Sequence, residues 1–428
     1  MKRAVITVGL GFGDEGKGAS VDALCRRLGA DLVVRYCGGS QAGHNVELPD
    51  GRRHTFAQFG AGTLAGVPTH LGRHVILSPP ALCREADHLR ELGVADPFAW
   101  VTVHRRALVA TAFHQAMNRL RELARGAARH GSCGHGIGEA RAYWLRHGEA
   151  AIFAADLHES VILRDKLELL RQRLWLDAQE FIDRVPAGEL AEMDVLSLSA
   201  DAVAVDLHTA AGPLRLVDRT PACDTAVFEG AQGVLLDEWY GFHPHTTWST
   251  VTQRHALEMA AEAGAAEVCS LGLVRAYLTR HGAGPLPTFD AGLTAALPDE
   301  GNPPNPWQGG LRLGWLDLVL VRYAARVGGP LDGLVVNCLD QLEGREAKLG
   351  VSYESGSRLP LPVGPSLAGQ QRLTRLLEQA RPVYRPASGD ALVAALGEIA
   401  PVVLCGRGPT HRDKGGGALP FRRFGSGD

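Results

Sequence analysis

Ala4-Val5-Ile6-Thr7-Val8-Gly9-Leu10-Gly11-Phe12-Gly13-Asp14-Glu15-Gly16-Lys17-Gly18 is the stretch that decides the fold. The β-branched run Ala4–Val8 reads as a strand, the glycines as a loop, and Ala19 to Leu28 carries apolar residues at helical spacing. Strand, glycine loop and helix in that order open an α/β fold with an anion-binding turn. Leu32 to Tyr36 is a second buried-type strand ending in Gly38-Gly39, and Val75 to Leu77 is a third. Strands resume at Ala226–Phe228, Cys269–Val274, Leu334–Val336 and Val402–Leu404, each before a glycine or polar turn. The expectation is a large, mostly parallel central sheet flanked by helices. Residues 105–128 and 165–183, rich in Arg, Leu and Ala, read as helices, so a helical insertion is expected at about 100–200. Pro298 to Gly310 has no apolar period and reads as an exposed loop, and 354–368 as weakly structured. No repeat or linker divides the 428 residues, so one domain spanning 1–428 is expected.

Composition narrows the function. Lys and Arg number 44 against 47 Asp and Glu, a formal charge of −3, so no global basic field exists to gather nucleic acid. No stretch approaches the roughly 20 apolar residues of a membrane span. The eight cysteines contain no C-x-x-C, which gives a disulfide framework or structural zinc site little support and points to a reducing cytoplasm. Glycine supplies 52 residues, well above the roughly 7% of average usage, as expected where backbone approaches ligand closely.

The loop from Gly11 to Lys17 has the G-x-x-x-x-G-K spacing of a phosphate loop, but Gly18 stands where a metal-binding Ser or Thr belongs. An acid in such a loop repels phosphate unless it binds Mg²⁺ or handles a proton, so Asp14 reads as catalytic or metal-binding, or else as the cap of the next helix. Gly38 to Asn45 follows the second strand, where open α/β sheets bind ligands. His44 in it is an acid or electrophile, or an ordinary hydrogen-bonded histidine. Phe228-Glu229-Gly230-Ala231-Gln232-Gly233 repeats the strand-then-glycine pattern, with Gln232 able to donate to and accept from a heterocycle, or to sit in an ordinary turn.

Taken together, GDEGKG at 13–18, GG-x-x-AGH at 38–44, FEGAQG at 228–233, Pro244 and Thr247, Arg275 through Arg280, Gly284 to Thr288 and Gly314-Trp315-Leu316-Asp317 make a chain that resembles the adenylosuccinate synthetase family from residue 5 to about 410. That family joins aspartate to inosine monophosphate (IMP) with GTP. The resemblance implies a phosphate-loop-like GTP-binding ligase fold with Mg²⁺ as cofactor. Asp14, Lys17 and His44 would be catalytic: Asp14 takes the proton of the purine N1, His44 stabilises the transferred phosphoryl group, and Lys17 neutralises phosphate charge. GTP would meet Gly13, Glu15, Gly16, Lys17, Gly18, Gly43, His44, Asn45, Asp340, Gly408 and Pro409, with Asp340 reading the guanine. The nucleotide substrate would meet Asp14, Gln41, Ser132, Cys133, Arg146, Gln232 and Thr247, with Asp14 and Gly43 holding the metal. Small-molecule partners and a homodimer are implied, with no nucleic acid and no membrane.

The departures cluster. Where the family has a threonine- and arginine-rich loop for the aspartate carboxylates, this chain reads Asn305-Pro306-Trp307-Gln308-Gly309-Gly310-Leu311-Arg312-Leu313, and Arg312 alone remains of the arginine run. Charge-assisted contacts of about 1.5–3 kcal/mol each are lost with those forks. The amine substrate expected at Trp307, Gln308 and Arg312 is therefore less acidic or more apolar than aspartate, unless Arg275 and Arg280 supply the charge. Cys338 replaces a lysine beside the guanine, and Ser132-Cys133 replaces two threonines. The reading is a GTP-dependent ligase that phosphorylates the 6-oxo group of IMP or a related amide or lactam and then adds a changed amine. Its rivals are an ordinary adenylosuccinate synthetase, a phosphotransferase that stops at the phosphorylated intermediate, and a silent nucleotide binder.

Overall fold

The computed structural model describes residues 1–297, 307–362 and 364–425. The Ala4–Val8 run lies in strand Arg3–Gly9, whose side chains alternate between two buried faces. Val5 packs with Val21, Val33 and Val227 on one face, and Ala4, Ile6 and Val8 pack with Leu32, Val34 and Phe228 on the other. The strand sits inside an 11-stranded sheet. Across that sheet the order is Lys414–Gly416, Val402–Gly406, Gly333–Asn337, Glu267–Arg275, Arg3–Gly9, Thr225–Glu229, Leu32–Arg35, Thr69–Leu71, Val101–His104 and Arg215–Val217. Pairing is parallel except at Lys414–Gly416 and at Arg422–Arg423, which joins Glu267–Arg275. The expected mostly parallel sheet is what the chain forms, and it places Gly9, Arg35, Glu229, Arg275 and Asn337 at one edge.

Helices Ala112–Arg125, Ile137–His147, Ser160–Gln179, Ala191–Ser197 and Ala200–Ala211 fill the expected helical stretch. Leu163, Leu167, Leu170 and Leu174 recur at steps of four, three and four, and all are buried, which is why Ser160–Gln179 holds its place against the core. The expected helix over 105–128 is corrected: Leu108–Val109 is a two-residue strand against Ile76–Leu77, and the helix starts at Ala112, after Thr111. Thr69–Leu71, Val101–His104 and Arg215–Val217 escaped the sequence reading because they are three or four residues long and carry polar groups such as His70 and Thr102.

A second, four-stranded sheet runs Tyr277–His281, Leu311–Asp317, Ala347–Tyr353 and Pro382–Ala387. It carries Arg312 and delivers the chain to the described part of the Pro298–Gly310 segment. Residues 298–306 of that expected loop lie outside the described residues. Among the described residues no helix is long and apolar enough to cross a membrane, and all eight cysteines are free thiols.

Candidate functional site

The phosphate-type loop connects strand Arg3–Gly9 to helix Lys17–Leu28. The helix is capped by Gly16 in a left-handed conformation with no side-chain cap bond, so Asp14 is not its cap. Asp14 instead faces His281, whose Nε2 lies 3.0 Å from its Oδ2. Burial pushes the Asp14 carboxyl up, but the His281 hydrogen bond and the charges of Arg275 and Lys17 outweigh it and hold it below its ordinary value. Lys17 is buried and points back into the loop, with Nζ 2.6 Å from Glu15 Oε2 and 2.5 Å from the Gly13 carbonyl. Glu15 also accepts the Gly13 N–H at 2.7 Å, so loop and cation hold each other.

Gly18 is explained by what lies above it. A Cβ there would stand 2.3 Å from the Asn45 carbonyl oxygen and 2.7 Å from the His44 carbonyl carbon. The helix passes so close to strand His44–Glu47 that only a hydrogen fits, and that closeness brings His44 to the phosphate loop.

His44 is 4% exposed, and its Nδ1 lies 2.5 Å from Glu229 Oε1. Glu229 ends its strand fully buried and accepts the Ala61 N–H at 2.9 Å on its other oxygen. Burial pushes the Glu229 carboxyl up, yet the Arg35 charge and His44 hold it below the usual carboxylate range. Burial outweighs the carboxylate at His44 and lowers its pKa to about 4. The pair is therefore a neutral imidazole donating through Nδ1 to an ionised carboxylate, with Nε2 left for a ligand.

Gln41 and Gln232 meet over Gly38-Gly39. A side chain at Gly38 would meet Gln232 Oε1 at 3.3 Å, and one at Gly39 would meet Gln41 Oε1 at 3.0 Å. Both amide oxygens are buried without a partner, and Gln232 has φ 56, a strained conformation that aims it beside Gly13. Ser40 Oγ lies 3.4 Å from His135 Nδ1, joining this loop to Gly131–Gly138. Ser132 Oγ accepts from Asn118, and burial pushes the Cys133 thiol up. Thr247 is tied by its N–H to the Leu236 carbonyl at 2.7 Å, on the segment that follows the Gln232 turn. Gly43 and Asn45 are exposed beside His44, and Asn45 Oδ1 accepts from Thr55. Arg146 is not gathered: it lies exposed on the last turn of Ile137–His147, 3.2 Å from Asp177.

At the other end of the phosphate loop, Asn337 donates to the Glu15 carbonyl at 2.8 Å and to Ser20 Oγ at 2.9 Å, and accepts from Lys414 Nζ at 2.7 Å. The chain then turns through Cys338 at φ 60 to Asp340, whose Oδ1 is buried without a partner. The Leu339 N–H donates to the Gly406 carbonyl, which places the Gly408-Pro409 turn next to Asp340. Lys414 thus brings an amine to the place where position 338 offers a thiol.

Trp307, Gln308 and Arg312 line one seam between two glycine turns. A Cβ at Gly134 would stand 2.9 Å from the Trp307 ring, and one at Gly282 would collide with the Gln308 carbonyl. The Arg119 guanidinium lies 5.5 Å from the Trp307 ring. Arg312 donates to the Gly284 carbonyl at 2.8 Å, and its Nε is buried without a partner. Arg280, buried and opposite Arg312 in register, spends its donors on the carbonyls of Ala283, Pro285 and His245. Burial and the Arg312 charge lower its pKa to about 9.

The residues missed from sequence are Glu229, His281, Arg35, Asn337 and Lys414. Glu229 left a signal: an acid closing a fully apolar strand needs a buried partner. His281 and Lys414 left none, because they arrive from 267 and 77 residues away from Asp14 and Asn337.

A family model described as adenylosuccinate synthetase matches residues 6–390. The adenylosuccinate synthetase of Neisseria gonorrhoeae is 30% identical over 446 aligned positions, covering 96% of this chain and 98% of that protein. That of Halobacterium salinarum is 34% identical over 373 positions, covering 83% and 82%. In fold, the chain is similar to the fully ligated adenylosuccinate synthetase of Plasmodium falciparum, with TM-score 0.76, 20% identity and 97% and 99% coverage. It is also similar to the succinoaminodeoxyadenylate synthetase of cyanophage S-2L, bound to dGMP and to dATP as an energy donor, with TM-score 0.60, 17% identity and 97% and 95% coverage.

Proposed function

Because the chain belongs to the adenylosuccinate synthetase family of GTP-dependent carbon–nitrogen ligases, we propose that it phosphorylates the 6-oxo group of IMP or a related lactam and then adds an amine other than plain aspartate. The observation that carries the reading is the gathering of Asp14, Lys17 and His44 around one loop, beside the unpartnered oxygens of Gln41 and Gln232.

A lactam oxygen is a poor leaving group, so it must be activated before an amine can replace it. Asp14, held ionised, takes the ring N–H proton as the oxygen attacks the γ-phosphorus and GDP departs. His44, braced by Glu229, meets the transferred phosphoryl group through Nε2 and later the departing phosphate. Gln41 and Gln232 accept from the substrate, Ser132, Cys133 and Thr247 line its phosphate end, and Asp340 accepts from the guanine of GTP. Gly13, Glu15, Gly16, Lys17, Gly18, Gly43, Asn45, Gly408 and Pro409 enclose the triphosphate and base. Asp14 and the Gly43 carbonyl are hard oxygen donors that suit Mg²⁺, which when bound neutralises phosphate charge.

The amine assignment is supported by the seam itself: Arg312 spends a donor on Gly284, and Trp307 puts an indole where a carboxylate clamp would stand. We read residues 1–428 as one ligase domain acting in the cytoplasm as a homodimer, with exposed Arg146 reaching the partner's nucleotide site.

The test is product mass spectrometry with GDP release, using purified chain, Mg²⁺, GTP and IMP, with and without aspartate and a panel of amines. GDP release that needs IMP and Asp14, with an amine other than aspartate in the product, is expected. Adenylosuccinate formed at low aspartate concentration makes the chain an ordinary synthetase. Phosphorylated product that no amine consumes makes it a phosphotransferase, and silence with every amine overturns the activation step.

A further inference from the structure

Beyond the wall that carries Gly38-Gly39 lies a second cavity of about 220 Å³. Ile76, which bridges to Gly39, lines it, and Trp248, adjacent to Gly138, closes one side. Its other walls include the rings of Trp144 and Phe153 and the guanidiniums of Arg73, Arg106 and Arg141. No carboxylate lines it. Glu262, Glu149 and Glu238 hold these three arginines from outside, at 2.8, 2.6 and 3.5 Å.

Two polar atoms of this lining, Arg141 Nε and His255 Nδ1, are buried without a partner. Such atoms cost free energy unless a ligand satisfies them. Both can donate, and they belong to a cavity whose other walls combine three aromatic rings with the aliphatic Val75, Ile76 and Leu108, apolar surface with a few polar groups as in a small-molecule site. Its volume suits one ring with one anionic group and is too small for a nucleotide.

His74, His255 and Glu258 offer donor atoms within 4.8 Å of one another, so a metal ion is the competing occupant. The geometry argues against it. Arg73 Nε donates to His74 Nε2 at 3.0 Å, occupying the lone pair a metal needs. The two imidazoles stack in parallel at 3.5 Å and 6°, so their in-plane lone pairs run side by side rather than converging. Burial, and for His74 the neighbouring His255 and Arg73, keeps both rings neutral despite the pull of Glu258 on His255, with pKa values of about 3 and about 4.

We propose that this cavity binds a small planar aromatic carboxylate, its ring against Trp144, Phe153 and Trp248 and its carboxylate on Arg141 and His255. The site is separate from the nucleotide site and independent of which amine the ligase uses.

Calorimetric titration of the full chain with benzoate tests it. Saturable binding is expected, with acetate and cyclohexanecarboxylate at least tenfold weaker. Arg141→Gln should weaken benzoate at least tenfold. Trp248→Ala, a change at a side chain 49% exposed and therefore tolerated by the fold, should weaken it several-fold. Saturating GTP should leave the affinity within twofold. Absence of benzoate binding, equal binding by Arg141→Gln, or displacement by GTP overturns the proposal. Tight Zn²⁺ binding that His255→Ala abolishes, with no benzoate binding, assigns the cavity to a metal instead.

Discussion

Glu229 Oε1 lies 2.5 Å from His44 Nδ1, in a pocket where neither residue is more than 4% exposed. The carboxylate fixes the tautomer of the imidazole, with the proton on Nδ1 and the lone pair on Nε2. Two strands far apart in sequence thereby build one buried hydrogen-bonded pair, which the proposed function makes the unit that meets the phosphoryl group.

Glu229→Gln keeps the shape and removes the charge. The expected loss is about 100-fold or more in kcat for GDP release, with the KM for GTP nearly unchanged. Because both residues act as one unit, the double variant with His44→Asn should be no slower than His44→Asn alone. Additive losses would sink the dyad.

Gly18→Ser restores the residue type that phosphate loops usually carry, yet it should harm this protein. The new Cβ would press on the Asn45 and His44 backbone, at a cost of about 1–3 kcal/mol of stability. Thermal melting should show the same loss for Gly18→Ala, and both variants should lose turnover as His44 is displaced. A gain in activity for the serine variant would refute the steric account.

Acid should destabilise the fold well before carboxylates of ordinary pKa titrate. Burial lowers the pKa of His44 to about 4, and of His70 and His114 to about 3, against 6.5 when exposed. As pH falls from 6.5, the unfolded chain takes up protons that these native histidines refuse, so stability drops until the native pKa values are passed. Asp317, raised to about 6 by burial, opposes this with one proton. Each uncompensated proton is worth about 1.4 kcal/mol per pH unit. Melting temperature should therefore decline between pH 6.5 and 4, and His114→Asn should flatten that decline by about one proton.

Asp340→Asn exchanges an acceptor for an amide at the buried, unpartnered Oδ1. The KM for GTP should rise by about tenfold or more while that for ATP barely moves, because the contact proposed for Asp340 is to the guanine edge. Steady-state kinetics with both nucleotides decide it, and equal shifts would remove Asp340 from base recognition.

How much of this the sequence carried depended on range. Ala4–Val8 and the glycines after it announced strand, loop and helix because β-branching and turn chemistry are local properties. Asp14, Lys17, His44, Gln41 and Gln232 were legible from their loops, and the structure gathers them. Thr69–Leu71 and Val101–His104 were not, since strands so short acquire their identity from neighbours. Glu229 was visible as a letter but not as a partner, because the contact that defines it spans 185 residues. Arg146, singled out by position, lies at the surface of this chain, where the proposed dimer would use it.

Asn337 ties the Glu15 carbonyl, Ser20 and Lys414 together with one amide, while Trp307 and Arg312 hang from a separate four-stranded sheet. The phosphate-loop half is locked by long-range bonds, and the four-stranded sheet is tied to it in turn: His281, paired in register with Leu311, meets Asp14 at 3.0 Å. A change within 307–313 that shifts Leu311 therefore reaches Asp14 through His281, so the two halves cannot drift independently.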